Sequence, residues 1–261
     1  MTLRDAIPGT QTVARAVALL KAFSDDQPEM GLSELARAAG LNKTTAFRLL
    51  SALENEGLVS HNTPGGAYRL GPEAIALGAR ALRATDLRAA ARPELEALAR
   101  ETGETADLEV LDGADVLVVE EVHGGFVLGS LLWVGTRWPA HATSTGKAIL
   151  AFLPEAESNA VLRGARRLAA PTPETISDRD ALRAELARVR ELGYATAIEE
   201  LEANYAAVGA PVFDHEGRVA GAISLGGPLA RLTPERILGL AMLVRSAAQR
   251  VSKRLGYSGD A

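Results

Sequence analysis

The chain has 261 residues, more than one domain usually holds, so two domains are expected. It has no cysteine, which excludes disulfides, thiolate metal sites and cysteine nucleophiles and fits a reducing compartment. The net charge is −5, yet residues 1–70 carry seven charges of each sign, so the acidic excess lies in the remainder. Since no leader-like segment and no long apolar run is present, the sequence predicts a cytoplasmic protein without membrane contact.

The first predicted element is a helix over residues 12–23, TVARAVALLKAF. Its apolar residues Val13, Val17 and Leu20 recur at helical spacing. We expect this stripe to pack beneath the elements that follow.

Residues 31–60 predict two short helices joined by a tight turn, Ala39-Gly40-Leu41. Gly40 suits the left-handed position after a helix, where a side chain would be strained. Small and aliphatic residues recur at helical spacing on both sides of the turn. This arrangement is typical of a helix-turn-helix, although a helical hairpin in an ordinary all-α region remains an alternative.

The second of these helices presents residues suited to a DNA groove. Asn42 can cap it, and the residues that follow point away from the buried stripe. Lysine and arginine reach phosphates or guanine edges, and threonine hydroxyls bond either. Phe47 is left open between a groove contact and a contact with the next element. The predicted DNA-contacting residues of this helix are Asn42, Lys43, Thr44, Thr45, Phe47 and Arg48.

Residues 58–70 read as strand, turn and strand, which after a helix-turn-helix is a wing. The predicted turn holds Gly65 and Gly66, whose backbone amides can meet phosphate, and Arg69 follows on the second strand. We therefore assign residues 10–71 to a winged helix-turn-helix domain. A helix then begins after Gly71-Pro72, and residues 72–85 are expected to link the domains and to carry a dimer contact.

Residues 86–258 predict a second, α+β domain with helices flanking an antiparallel sheet. The Asp112-Gly113 pair is a strong hairpin signal. Ser177 is expected to cap a helix that Gly193 ends. The predicted helices are 86–102, 144–152, 154–168, 181–192 and 234–254, and the predicted strands are 105–111, 115–122, 126–134, 194–199, 206–214 and 219–225.

The sequence gives little support to catalysis or metal binding. Gly146-Lys147 lacks the earlier glycine and the following Ser or Thr of a phosphate-binding loop. His123, His141 and His215 lack the short spacing of a zinc site. The acidic run at 199–202 is interpreted as structural or as solvating a sheet edge. We predict no catalytic residue, no metal and no cofactor.

Two sets of motifs carry a resemblance. The first is LSELARAAGLNKTTAFRLLSALENEGLV at 32–59 with YRLG at 68–71. The second is HATSTGKAIL at 141–150, GYATAIEELEANYAAVGAPVFD at 193–214 and VAGAISLGGP at 219–228. Together they resemble the IclR family of bacterial transcriptional regulators over residues 10–257. The resemblance implies a winged helix-turn-helix, a linker helix and a GAF-like α/β effector-binding domain, in homodimers that can pair into tetramers on double-stranded DNA.

The resemblance also implies an effector pocket. Two positions depart from the pattern of members that bind small oxo-acids, because Ala197 replaces an acidic residue and Gly226 replaces a serine. With Trp138 and Tyr205 in the wall, this favours a small apolar or aromatic acid as effector. The implied pocket residues are Val127, Trp138, Ser144, Thr145, Ala197, Tyr205, Ala207, Ser224 and Gly226.

The sequence therefore predicts a ligand-responsive regulator, with repression favoured, that binds a palindromic operator. One alternative is a metabolite-binding or enzymatic GAF-like protein whose N-terminal helices only oligomerise it. Another is a regulator that answers to a protein partner instead of a metabolite.

Overall fold

The computed structural model describes residues 10–24, 26–61, 66–83, 86–125, 134–164 and 168–258. They form two compact units that divide between residues 84 and 85. In the part of the chain so described, no helix is both long enough and apolar enough to cross a bilayer.

The first unit is a small helical core closed by a two-stranded hairpin. Its core holds Leu19, Leu35, Leu50 and Val59. The antiparallel hairpin pairs Ser60 with Arg69. The elements are α1 (Gln11–Leu20), α2 (Leu32–Ala38), α3 (Lys43–Asn55), β1 (Val59–His61), β2 (Tyr68–Leu70) and α4 (Pro72–Arg83).

The predicted packing of α1 is wrong for two of its three stripe residues, because Val13 and Val17 face solvent, whereas Leu20 packs against the core. Leu19 is fully buried, whereas Val13 is 65% exposed and Val17 is 41% exposed. The sequence contains two overlapping apolar stripes, and the inner one is the stripe that includes Ala16 and Leu19. The outer stripe leaves Val13 and Val17 exposed to solvent. Ile75 and Leu77 of α4 are exposed aliphatic residues as well.

The second unit is built on one six-stranded antiparallel sheet in the order β5-β4-β3-β8-β7-β6. The strands are β3 (Thr105–Asp112), β4 (Asp115–Val122), β5 (Arg137–Pro139), β6 (Ala195–Ile198), β7 (Tyr205–Phe213) and β8 (Val219–Pro228). The helices are α5 (Asp86–Thr102), α6 (Ser144–Phe152), α7 (Glu155–Gly164), α8 (Arg179–Leu192) and α9 (Pro234–Arg254).

The two faces of this sheet have different coverings. On the apolar face, Leu108, Val208, Ile223 and Leu225 belong to one buried cluster with residues of α5 and α9. On the opposite face, which we call the pocket face, α6 packs over the strands and shares a second cluster with Val116, Ala195 and Ala222. Successive residues of a strand point to opposite faces, so the same strands supply both.

Three predicted details of this unit need correction. Most of the predicted strand 126–134 lies outside the described residues, Val134 is in a turn, and β5 follows where no strand was predicted. Helix α8 is capped by Asp178, not Ser177: the Asp178 carboxylate accepts from the amides of Asp180 and Ala181 at 3.0 and 2.8 Å. Residue 168, where α7 was predicted to end, is not helical, and the described part of the helix is Glu155–Gly164.

Candidate DNA-binding surface and effector pocket

The corner between α2 and α3 follows from a few local contacts. Gly31 donates its amide to the Glu34 carboxylate at 2.8 Å and so caps α2. Gly40 has φ +65°, the left-handed conformation that ends this helix. Asn42 then accepts the Thr45 amide at 2.8 Å and starts α3. These contacts set the direction of α3 relative to α2.

The N-terminal half of α3 divides into a buried and an exposed face. Ala46 and Leu50 are fully buried in the core of the first unit. Thr45 is half-buried, and Phe47 is 52% exposed, which is unusual for an aromatic ring. The residues that face solvent here are Asn42, Lys43, Thr44, Phe47 and Arg48.

One predicted DNA-contacting cation, Arg69, lies on the hairpin that follows α3. Arg69 is exposed on β2, and its Nε donates to the Ser60 hydroxyl at 3.3 Å across the strand pair. Gly66 is half-buried, whereas Gly65 lies outside the described residues.

In the second unit, seven of the nine predicted pocket residues line one cavity. Of the other two, Val127 lies outside the described residues, and Gly226 lies behind Tyr205. A Cβ on Gly226 would stand 2.1 Å from the Tyr205 Oη. The cavity is lined by Asp107, Glu109, Trp138, Ala142, Thr143, Ser144, Thr145, Ala197, Leu201, Tyr205, Ala207 and Ser224.

Two glycines allow close packing around the start of α6: Gly146 packs on the turn at Ala140 that precedes the helix, and Gly209 of β7 lets the helix approach the sheet. A Cβ on Gly146 would stand 2.0 Å from the Ala140 carbonyl oxygen, and one on Gly209 would stand 2.9 Å from the Thr145 nitrogen. Thr143 caps the helix by accepting the Gly146 amide at 3.0 Å. The N-terminus of α6 therefore lies directly against β7.

The sequence-based prediction missed the two carboxyl groups of the pocket, Asp107 and Glu109 on β3. Asp107 is fully buried and Glu109 almost so. Ser224, which we expected to bind the ligand directly, donates its hydroxyl to Asp107 Oδ1 at 2.7 Å. Thr145 likewise donates to Glu109 Oε2. The alternation Ala106-Asp107-Leu108-Glu109 was the available signal, but it is equally typical of a strand with one solvated face.

Burial makes both carboxyls weak acids. It raises the pKa of Asp107 to about 7, with the Glu121 charge adding to the effect and the Ser224 hydrogen bond opposing it. Burial, then the Asp107 charge, raises the pKa of Glu109 to about 8. Burial and the same carboxylates also raise the pKa of the Tyr205 phenol, which stays protonated. The pocket therefore holds protons on its carboxyls near neutral pH.

Two buried polar atoms of the wall have unmet hydrogen bonds. Within the described ranges, Asp107 Oδ2 has no donor and the indole Nε1 of Trp138 has no acceptor. Such atoms are uncommon in protein interiors, because each costs about 1–3 kcal/mol when left unpaired. The pocket thus offers a bound molecule the indole donor and one carboxyl oxygen, which accepts a hydrogen bond when Asp107 is ionised and donates one when Asp107 is protonated.

The cavity is small as it stands. The space open to the centre of a water molecule is ≈ 30 Å³, room for about one or two waters. A larger groove of ≈ 700 Å³ lies at the other end of β7, where Ala210 and Phe213 meet α8 and α9. We assign the site to the smaller cavity because the polar groups converge there, and a ligand of benzoate size needs its walls to move apart.

Behind the pocket, α6 carries a fully buried cation, Lys147. Its Nζ lies 2.5 Å from Glu200 Oε1 and 3.9 Å from Glu185. Glu200 is therefore a buried structural partner, and the solvating role considered for it is wrong. Burial raises the pKa of Glu200 although Lys147 acts to lower it. Glu200 also precedes Leu201, so this ion pair holds one edge of the pocket wall.

Comparison with known proteins gives the family. A model described as "Bacterial transcriptional regulator IclR C-terminal" matches residues 79–253, and one described as "IclR helix-turn-helix domain" matches residues 12–63. The chain belongs to the IclR family. As a member it is a DNA-binding transcriptional regulator with an effector-binding C-terminal domain.

Individual IclR-family relatives match along nearly their whole length. The HTH-type transcriptional regulator XynR of Escherichia coli is 35% identical, covering 96% of this chain and 99% of that protein. The transcriptional repressor IclR of Escherichia coli is 31% identical, with 95% and 90% covered. An IclR homolog from Microbacterium hydrocarbonoxydans, crystallised with 4-hydroxybenzoate, has 30% identity, coverage of 94% and 98%, and a TM-score of 0.82.

Proposed function

We propose that this chain is a repressor that binds a palindromic operator as a homodimer and is controlled by a small molecule in the pocket of its second unit. Residues 10–71 bind the operator, residues 72–85 link the units, and residues 86–258 bind the effector. The observation that carries this proposal is the exposed face of α3 in a family of regulators whose named relatives include repressors.

The roles on α3 follow from side-chain chemistry. Arg48 and Lys43 reach base edges or phosphates, Thr44 and Thr45 bond either, and Phe47 meets a thymine methyl. Asn42, besides capping α3, lies where the helix enters the groove. On the wing, Gly65, Gly66 and Arg69 contact the adjacent backbone.

A dimer is supported by exposed aliphatic side chains of the first unit. Ile75 is 73% exposed and Leu77 of the same helix is 47% exposed, and Val13 and Val17 are exposed on α1. Val13 and Val17 lie one helical turn apart, and neighbouring exposed aliphatic side chains of this kind are typical of association surfaces. Two copies of α3 would then read two half-sites, and pairs of dimers can form tetramers.

The effector prediction has two parts. The aromatic or apolar body is supported by Trp138, Tyr205, Ala197 and Ala207 in the wall, and a relative was crystallised with an aromatic compound, 4-hydroxybenzoate. The acid group is supported by the same relative, because 4-hydroxybenzoate is an aromatic acid, whereas in this wall Asp107 and Glu109 oppose a further negative charge once they are ionised. Effector binding changes operator affinity by an amount typical of allosteric coupling, about 1–3 kcal/mol.

An electrophoretic mobility shift assay tests the proposal. The full-length protein is titrated against the intergenic DNA upstream of its gene and against unrelated DNA, at one stated salt concentration. Arg48→Ala should weaken operator binding by roughly 1–3 kcal/mol while changing binding to unrelated DNA less. Lys21→Ala, at an exposed cation in the turn after α1, is the matched control and should change neither.

Equal losses on both DNAs would make Arg48 a phosphate contact. Absence of any specific complex, on this DNA and in genome-wide binding, would favour the metabolite-binding or enzymatic alternative.

A further inference from the structure

Every ionisable side chain among the described residues of the pocket wall is an acid. Asp107 and Glu109 lie side by side on β3, and no lysine, arginine or histidine is among the described residues that line the cavity. The buried cation of α6, Lys147, is committed to Glu200 and Glu185. A ligand therefore meets two carboxyl groups with no basic side chain beside them.

Of three further carboxylates near β3, Glu121 adds negative charge at Asp107, and the other two are paired with arginines. Glu121 on β4 pairs in register with Asp107, and its carboxylate lies 3.5 Å from the His123 ring. Glu104 at the start of the strand region is neutralised by Arg231 and Arg236 at 2.7 and 2.9 Å. Glu120 of β4 is paired with Arg88 and Arg92. The Tyr205 phenol faces Asp107 and Glu109 without charge of its own.

The hydrogen-bonding capacity of the pair points in the same direction. The Ser224 hydroxyl donates a hydrogen bond to one oxygen of Asp107, and the Thr145 hydroxyl donates one to one oxygen of Glu109. Asp107 lines the cavity, and its second oxygen has no hydrogen-bond partner in the described structure although the residue is fully buried. When Asp107 is ionised, a ligand that donates to this oxygen removes the cost of an unpaired acceptor, and one that carries positive charge also offsets the desolvation of the carboxylate.

We propose that the pocket selects a small organic cation, a protonated amine or amidine on an aromatic or apolar body, whose N–H groups donate to Asp107 and Glu109. This deepens the proposed function, on which it rests for the meaning of ligand binding. The Trp138 indole N–H donates a hydrogen bond to an acceptor elsewhere on the same ligand. Because burial keeps the carboxyls protonated without a partner, the cation binds with release of protons to solvent.

An anionic ligand faces the opposite balance. A carboxylate next to ionised Asp107 and Glu109 is repelled, so it binds only as the pair keeps or gains a proton. Acid binding therefore weakens as the pH rises through about 8, whereas cation binding does not, as long as the amine stays charged.

The test uses the full-length protein and probes that differ only in charge. Benzamidine, benzamide and benzoate share one ring and are respectively cationic, neutral and anionic, and phenethylamine with 3-phenylpropionate forms a second pair. Isothermal titration calorimetry at pH 8 should show each cation binding roughly tenfold or more tightly than its acid. Titration in two buffers of different ionisation enthalpy should show proton release on cation binding.

Two isosteric variants test whether the preference for cations depends on the carboxyl groups of Asp107 and Glu109. Asp107→Asn and Glu109→Gln should each remove most of the cation preference and the proton release. Asp112→Asn makes the same change on the same strand at an exposed carboxylate, paired with Arg137 at 2.7 Å, and should leave both unchanged. Thermal unfolding of each variant, expected to show no loss of stability, separates a lost ligand contact from a lost fold.

The proposal is overturned if the acids bind as tightly as the cations at pH 8, if no cation binds at millimolar concentration, or if Asp107→Asn keeps the cation preference. Failure of the proposed function is distinct from these outcomes. It would show as lack of operator binding in the mobility shift, whatever the pocket binds.

Discussion

On the apolar face of the six-stranded sheet, Leu108, Ile223 and Leu225 are fully buried against α5 and α9. One residue away on the same strands, Asp107, Glu109 and Ser224 point to the pocket face, where α6 covers them. The two faces are equally buried but differ in what burial does. On the first it stabilises the fold by removing apolar surface from water, and on the second it makes carboxyl groups hold protons.

This difference shows how a ligand site can be placed in a folded core without interrupting a strand. The alternation of side chains lets β3 and β8 contribute to the core and the pocket at once. On the pocket face, hydrogen bonds within the wall, such as that from Ser224 to Asp107, offset the cost of burying polar groups. What remains unpaired there is available to a ligand.

The largest expected effect comes from breaking the ion pair between Lys147 and Glu200, because Lys147 belongs to the helix that covers the pocket face. Lys147→Met leaves Glu200 buried without its cation and should lower the free energy of unfolding by about 3–5 kcal/mol, measured by urea denaturation. Lys253→Met, an exposed lysine on α9, is the control and should change it little. If adding Glu200→Met to the first variant restores no stability, the pair does not act as a unit.

A slightly smaller loss is expected from the apolar face. Leu225→Ala removes a fully buried side chain and should cost about 2–5 kcal/mol by the same measurement. Leu238→Ala, at a position of α9 that is 63% exposed, should cost within about 0.5 kcal/mol. Similar losses for the two leucines would contradict the assignment of the apolar face.

The pH dependence of stability separates the two faces. Asp107 and Glu109 have raised pKa values in the folded protein, so folding binds protons, and their contribution is present below about pH 4 and lost as the pH rises through about 8. Asp107→Asn should therefore be more stable than the unsubstituted protein at pH 9, by about 2 kcal/mol or more, with the difference shrinking toward pH 4.

Thermal unfolding across that pH range measures this difference. Leu225→Ala provides the contrast, since its loss should be independent of pH. A stability difference for Asp107→Asn that grows as the pH falls would have the wrong sign and would refute the raised pKa.

The smallest effect concerns the fit of the pocket wall. In Gly226→Ala the new Cβ meets the Tyr205 hydroxyl, whose ring end must move, at a cost of about 1 kcal/mol. Tyr205→Phe removes that hydroxyl, so the double variant should recover part of the loss, which a double-mutant cycle in urea measures. Purely additive losses would show that the ring does not occupy this space.

The local elements could be predicted from the sequence. The glycine at position 40, the Asn42 cap and the Asp112-Gly113 turn are short-range signals, and the structure has the corresponding corner, cap and hairpin. The pocket positions came from the family resemblance, and seven of them line one cavity. Their roles, like those of the α3 residues, stay predictions that the mobility shift and calorimetry test.

What the sequence by itself determined is where helices and strands begin and which residues share a face, because capping, turn chemistry and side-chain periodicity act over a few residues. It could not determine which face would be covered. Val13 is exposed although it lies on an apolar stripe, and Asp107 and Glu200 are buried although they are acidic. Only the tertiary structure decided this, because burial depends on elements distant in sequence: α6 covers Asp107, and Lys147 from the same helix pairs with Glu200.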